Sequence, residues 1–535
     1  MHTYLLHQLL VHSAQTYPGR EAVVFRNQSI TYADLDTKSS RLAVNLSKLG
    51  VKPGDRVGIV LNKSIESIIS IFGILKAGAA YVPVDPMLPM ARVRHLIDHC
   101  GIKCAITSLK NLPKVAPSTE YPTSIQTVVL TEGDLDPSVV RSPYIEAVPW
   151  DDAMSESSAE FIPLHISDGN IAYILHTSGS TGLPKGVAIS HLNALTFVNM
   201  AAAFFGINHR DRFAGFAPLH FDLSVFDIFV AVKKGASIVL TPEYLTAFPL
   251  KLAEYIDEKK VSVWNSASSA LCMLVDRGRL DRFRLESLRL VHFSGDIMPV
   301  KYLRILTHAM KNAAFYNIYG QTEANSSMCY RIKEIPDDAA WKIPIGKPFP
   351  NFEVFALDEH GQRVTRPGER GELYVKSSTV AMGYWNDEGK TEEKFVRDPL
   401  CPQVAQKVYR TGDLVELDHN ADYVFAGRMD HMVKSRGYRI ELSEIELVLT
   451  GHPSVRQAVA VALPDELVGH KIFAFVTPYD GADLSKPDLV NYCDRIMPTY
   501  MIPETFFLCD DLPRSSTGKV NRKALESDAA QRLRM

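Results

Sequence analysis

Short apolar, β-branched runs punctuate the chain: RVGIVL (56–61), CAITSL (104–109), SIVLTP (237–242) and LRLVHFSG (288–295). Between them lie stretches with helical spacing, such as SIESIISIFGILKAG (64–78). The alternation predicts an α/β protein with parallel or mixed sheets covered by helices. The start, MHTYLLHQLLVHSAQTYPGREAVVF, is apolar at Leu5, Leu6, Leu9, Leu10 and Val11 but lacks a cationic front end and a small-residue cleavage site, so an amphipathic first helix is expected. No run approaches the roughly 18 uninterrupted apolar residues of a membrane span. Turn-forming residues crowd at PSTEYPTS and KEIPDDAAWKIP (333–344), which read as surface connections.

The pattern changes near VFAGRMDHMVKSRGYRIELSEIE (424–446). From there KSRGYRIELSEIELVLT reads as a strand followed by a helix, with Ser443 as N-cap and Glu446 three residues on, and VRQAVAVAL and HKIFAFVTP read as strands. A large N-terminal domain, 1–429, and a small α+β C-terminal domain, 430–535, are expected.

Composition narrows the function. At 535 residues, 46% hydrophobic and 22% charged, the chain resembles an ordinary globular enzyme of at least two domains. Its 58 basic and 61 acidic residues give a net charge of -3, which offers no field for nucleic acid or an anionic membrane. Cysteines 100, 104, 272, 329, 401, 493 and 509 form no CxxC pair and no zinc spacing, so idle thiols in a reducing, cytoplasmic setting are expected, without disulfides or zinc.

The segment ILHTSGSTGLPKGVAISH (174–191) is rich in hydroxyls and glycines and carries one lysine. It is not a Walker loop, because Pro184 stands where the second glycine should be. Its parts still suit a polyphosphate: Gly179 and Gly182 let the backbone approach an anion, Thr177, Ser178, Ser180 and Thr181 donate hydroxyl hydrogens, and Lys185 adds charge. Taken alone, a solvated Gly/Ser turn is an equal reading.

HTSGSTGLPKG resembles the phosphate loop of the adenylate-forming superfamily, which includes acyl-CoA synthetases, luciferases and the adenylation domains of nonribosomal peptide synthetases. The resemblance continues in order through LKAGAAYVPVDP, HFDLSVFDIF, NIYGQTEANS, GELYV, YRTGDLV, GRMDHMVKSRGYRIELSEIE and LPRSSTGKVNRKAL, nearly the whole chain. It departs at His176, at Gln321 where proline is frequent, and at FSGD (293–296) where Gly-Gly-Glu is common. In such enzymes a carboxylate attacks the α-phosphate of ATP, giving acyl-AMP and pyrophosphate, and a thiol then takes the acyl group.

The resemblance implies roles for matching residues. Lys519 would be the catalytic lysine bridging the carboxylate and the α-phosphate. Glu323 would help hold Mg²⁺, with the Thr322 hydroxyl beside the phosphate. Asp413 would take the ribose hydroxyls near Arg428, Tyr319 would stack on adenine close to Asp296, and Asn317, Gly320 and Phe425 would complete the nucleotide site. Asp430 would be the hinge about which the C-terminal domain turns, bringing Lys519 in for the first step and KSRGYR (434–439) for the second.

Asp222 would face a substrate α-ammonium, which argues against plain fatty or aryl acids, since a buried carboxylate without a cation is costly. The implied pocket is Asp222, Leu223, Phe226, Asn265, Val291, Phe293, Ile318, Ser326 and Ser327, closed by Lys519. It leaves little volume and offers no partner for a charged side chain. A small uncharged amino acid is therefore expected, most of all L-proline, because YGQTEANSSMCY and FSGDIMPV resemble prolyl-AMP ligases of pyrrole-type and anatoxin-type pathways. No serine for a phosphopantetheine arm is found, so a separate peptidyl carrier protein is the expected acceptor. The rival readings are an acyl- or aryl-CoA ligase and a silent nucleotide-binding scaffold.

Overall fold

The computed structural model describes residues 3–116, 123–132, 144–155, 166–179, 183–338, 341–429, 432–513 and 520–533. The apolar runs near 56 and 104 become the neighbouring parallel strands Arg56–Val60 and Cys104–Thr107 of an eight-stranded sheet. The stretch between them folds as the helix Ile65–Lys76, capped by the Ser64 hydroxyl, which accepts from the Ser67 N–H. This helix is buried on nearly every side, consistent with its almost unbroken apolar sequence. Strand Ile171–Thr177 of the same sheet turns back antiparallel into Lys185–Ser190, which places the phosphate-loop segment at a strand end.

A nine-stranded sheet follows. Its parallel strands Arg212–Phe213, Val263–Ala267, Leu290–Ser294 and Ala314–Gln321 lie in order, and Asn325–Ile332 returns antiparallel. A five-stranded antiparallel sheet carries Lys407–Leu417 beside Tyr423–Arg428. Parallel and antiparallel pairing thus coexist, as the mixed α/β expectation requires.

Beyond residue 432 the elements are small. A hairpin, Met432–Ser435 with Tyr438–Glu441, precedes a three-stranded sheet of Val455–Asp465, Gly469–Pro478 and Thr505–Leu508. Ile440, Leu442, Ile445, Leu449, Ala460 and Ala474 fill a core of its own. The helix after the hairpin runs Leu442–Thr450 with Glu441, not Ser443, at the N-cap, so the sequence reading is off by two residues there. Glu446 does not close a capping box; its carboxylate accepts from the Ala460 N–H and pairs with Arg522. Asp430 lies outside the described residues. Among the described residues no helix is long and apolar enough to cross a membrane, and the seven cysteines are free.

Candidate active site

The C-terminal ends of Val263–Ala267, Leu290–Ser294 and Ala314–Gln321 point toward the loop after Ile171–Thr177 and toward Lys407–Leu417. Such sheet ends are where α/β proteins bind ligands. Two adjoining cavities of about 320 and 130 Å³ fill the space, and Ile318, Gly320 and Lys434 line both. The hairpin 432–441 covers them.

Asp296, Asn317, Tyr319, Gly320, Asp413, Phe425 and Arg428 all line the larger cavity. Asp413 is claimed from three sides: the Arg428 guanidinium pairs with one oxygen, while the Tyr319 hydroxyl and the Gln321 amide donate to the other. Asn317 donates its amide to the Pro344 carbonyl at 2.8 Å. One oxygen of Asp296 accepts the Gly437 N–H at 2.7 Å, and the other is buried without a partner. Burial pushes the Asp296 carboxyl up to about 6, against the pull of Lys434.

Glu323 is fully buried between Arg439 at 3.0 Å and Lys185 at 3.4 Å, and it accepts the Tyr384 hydroxyl at 2.7 Å. These partners outweigh burial and hold its carboxyl well below the usual range. Burial, then the Arg439 charge, pushes the Lys185 ammonium down to about 8. Ser178 donates to the Arg439 carbonyl at 2.7 Å, and the Gly179 N–H donates to Glu444 at 3.2 Å. A Cβ at Gly179 would stand 2.1 Å from the Leu183 carbonyl oxygen, so the loop needs glycine there. Thr177 Oγ1 is buried without a partner. Thr177 and Thr322 line the smaller cavity, and the Glu323 carboxylate supplies the hard oxygen donors that would suit Mg²⁺. Ser180, Thr181, Gly182 and Lys519 lie outside the described residues.

Asp222 sits where both smaller spaces meet and accepts the Thr322 hydroxyl at 3.0 Å. Burial raises its carboxyl above the usual range, opposed by Thr322 and Lys434. Beyond it is a recess of about 10 Å³ walled by Leu223, Phe226, Asn265, His292, Ile318 and Ser326, with Phe197, Phe205 and Phe349 behind. Asn265 donates to the Leu223 carbonyl at 3.2 Å.

Val291 and Phe293 are not in this wall. They point through the sheet into a separate core with Trp264 and Leu271, whereas His292 and Ser294 face the site. A strand alternates faces at every residue, so an alignment one position out exchanges the whole set. Ser327 lines neither cavity: it is fully buried and its hydroxyl donates to the Tyr319 carbonyl at 3.4 Å.

Sequence reasoning also missed Arg439, Lys434, Tyr384, Glu444 and Arg92 as individual contacts. The segment 434–439 is placed over the site, but nothing local to the sequence says that Arg439 would reach Glu323. Arg92 pairs with Glu444 across 352 residues, a separation with no local signal. Gly437 has φ +80°, and a Cβ there would come within 2.5 Å of Ala267, so glycine lets the hairpin seat closely.

Residues 10–385 match the family described as AMP-binding enzyme, and residues 444–519 match the AMP-binding enzyme C-terminal domain. The chain belongs to the AMP-binding enzyme family and is an AMP-forming ligase. It is 34% identical to an L-proline--[L-prolyl-carrier protein] ligase of Pseudomonas fluorescens over 97% of this chain and 98% of that protein. A protein of the same description from Streptomyces coelicolor is also 34% identical, over 94% and 93%. In fold it is similar to the Vibrio cholerae adenylation domain AlmE solved with glycyl-adenosine-5'-phosphate, at TM-score 0.84, 24% identity and coverage of 99% and 98%.

Proposed function

We propose that the chain activates a small uncharged amino acid, L-proline foremost, with ATP to aminoacyl-AMP and pyrophosphate, and then transfers it to the phosphopantetheine thiol of a carrier protein. The observation that carries this reading is Asp222, a half-buried carboxylate that lines both a nucleotide-side cavity and an aromatic-walled recess. A cationic amine supplies the charge such a group lacks. The relatives of similar length named as prolyl-carrier protein ligases support the finer assignment. A secondary ammonium has two N–H donors, which Asp222 and one further acceptor satisfy, and the apolar wall covers the ring methylenes at about 0.8 kcal/mol each.

In this reading Asp413 and Arg428 hold the ribose, Tyr319 and Asp296 the base, Lys185 and the loop hydroxyls the phosphates, and Lys519 the attacking carboxylate. The body 1–429 and the mobile part 430–535 meet at Asp430. The test is amino-acid-dependent pyrophosphate exchange with each proteinogenic amino acid and with fatty and aryl acids. Proline is expected to give the strongest signal, and ring analogues one carbon different a signal reduced by about 10 to 200-fold. A strongest signal from a fatty or aryl acid would replace the reading with an acyl-CoA ligase. One from a bulky or charged residue would reject the pocket.

A further inference from the structure

We propose that His99, Cys100 and His176 form a site for a soft divalent cation, with Zn²⁺ as the fitting occupant, at the root of the phosphate loop. One ligand atom from each of the three lies within 4.8 Å of the other two. Cys100 Sγ and His176 Nε2 are 3.5 Å apart, although 76 residues separate them in sequence. Zinc bonds of about 2.3 Å to sulfur and 2.0–2.1 Å to nitrogen at tetrahedral angles put those two atoms about 3.6 Å apart. That edge of the coordination polyhedron is already in place. Bringing the His99 nitrogen to the same spacing takes a ring movement of about an ångström.

Three further observations point to a ligand. Nδ1 of His99 is buried without a hydrogen-bond partner, which is rare for a polar atom in a folded interior. Gly186 pairs with His176 across the two strands, and a Cβ there would stand 3.2 Å from His176 Nε2. Glycine therefore keeps the thiol-facing side of the ring open. On the helix Met90–His99, His95 lies one turn before His99 with its ring stacked at 5.7 Å, the spacing by which two imidazoles share an ion. His95 is the next donor available for a fourth position. One thiolate and two or three imidazoles favour zinc over the hard Mg²⁺ served by Glu323.

The site's place gives it a role. Cys100 and His99 end the helix that carries Arg92, and His176 leads directly into Thr177, Ser178 and Gly179. Trp385 and Asn386 both donate to the His99 carbonyl, at 3.2 and 3.1 Å. A cation here ties helix, strand and loop together where the loop begins. On binding, the Cys100 thiol gives up its proton to solvent and its sulfur becomes a thiolate ligand.

The experiment uses the untagged full-length protein, stripped with chelator and kept in millimolar Mg²⁺ without nucleotide. Zn²⁺ affinity is read by competition with a chromogenic chelator, and Co²⁺ serves as the spectroscopic substitute. One equivalent of Zn²⁺, a thiolate-to-cobalt charge-transfer band and a raised Tm with Zn²⁺ are expected. Cys100→Ser should abolish the band and weaken Zn²⁺ binding at least about tenfold, and His176→Gln should weaken it similarly. Wild-type protein that shows no charge-transfer band overturns the proposal whatever the variants do. So does a Zn²⁺ affinity unchanged in both variants.

Discussion

Asp222 is half-buried, accepts the Thr322 hydroxyl at 3.0 Å and feels the Lys434 charge. Because burial raises its carboxyl, it loses its charge at a higher pH than an ordinary aspartate, near 3.9, would. The amine needs the ionised form, so KM for the amino acid should rise as pH falls through that raised pKa, while KM for ATP should not follow it. Asp222→Asn removes the anion at every pH. It should cost about 2–5 kcal/mol in kcat/KM for the amino acid, roughly 30-fold or more, and leave its pH profile flat. Pyrophosphate exchange measured across pH for both proteins checks this, and a steep acid limb retained in the variant would move the amine elsewhere.

The strand Leu290–Ser294 separates two jobs on its two faces. Phe293 is fully buried in the core with Trp264 and Leu271, so Phe293→Ala should destabilise the fold by about 3–5 kcal/mol and leave the ranking of amino acids unchanged. His292→Ala should do the reverse: it enlarges the recess, so bulkier amino acids should gain relative to the small ones. Denaturant unfolding together with the exchange panel separates the outcomes. This strand also shows what the sequence could reveal. Its spacing made it legible as a strand, and polar His292 and Ser294 alternating with apolar Val291 and Phe293 already marked which face meets the site; the pocket taken from the family resemblance ran against that alternation, hence the reversed faces. The parallel strands, the helix Ile65–Lys76, Asp222 and the Glu323 to Asp413 set were readable because their motifs are local and ordered. Arg92 with Glu444, and His99 with His176, were not, because only the tertiary fold brings them together.

At the scale of the whole molecule, in the proposed reading, the hairpin 432–441 occupies ground that the first half-reaction needs. Arg439 pairs with Glu323, which in that reading would help hold Mg²⁺, and the Gly437 N–H donates to Asp296, which would sit by the base. In the proposed reading this arrangement belongs to thioester formation, and adenylation requires the C-terminal part to turn about Asp430. Lys519→Ala should therefore reduce aminoacyl-AMP formation by about two decades or more while transfer from supplied aminoacyl-AMP suffers much less. Asp430→Pro fixes φ at the hinge and should give the opposite split, with exchange largely kept and carrier loading impaired. Measuring both half-reactions in both variants is the check; equal losses in each would remove Lys519 from the first step, and wild-type rates in Asp430→Pro would place the hinge elsewhere.

Two donors of the phosphate loop are engaged by the same small domain: the Ser178 hydroxyl by the Arg439 carbonyl and the Gly179 N–H by Glu444. While those bonds stand, the loop cannot offer these donors to pyrophosphate. In the proposed reading, seating the hairpin would withhold these donors from pyrophosphate and so slow reversal of adenylation while the small domain is docked.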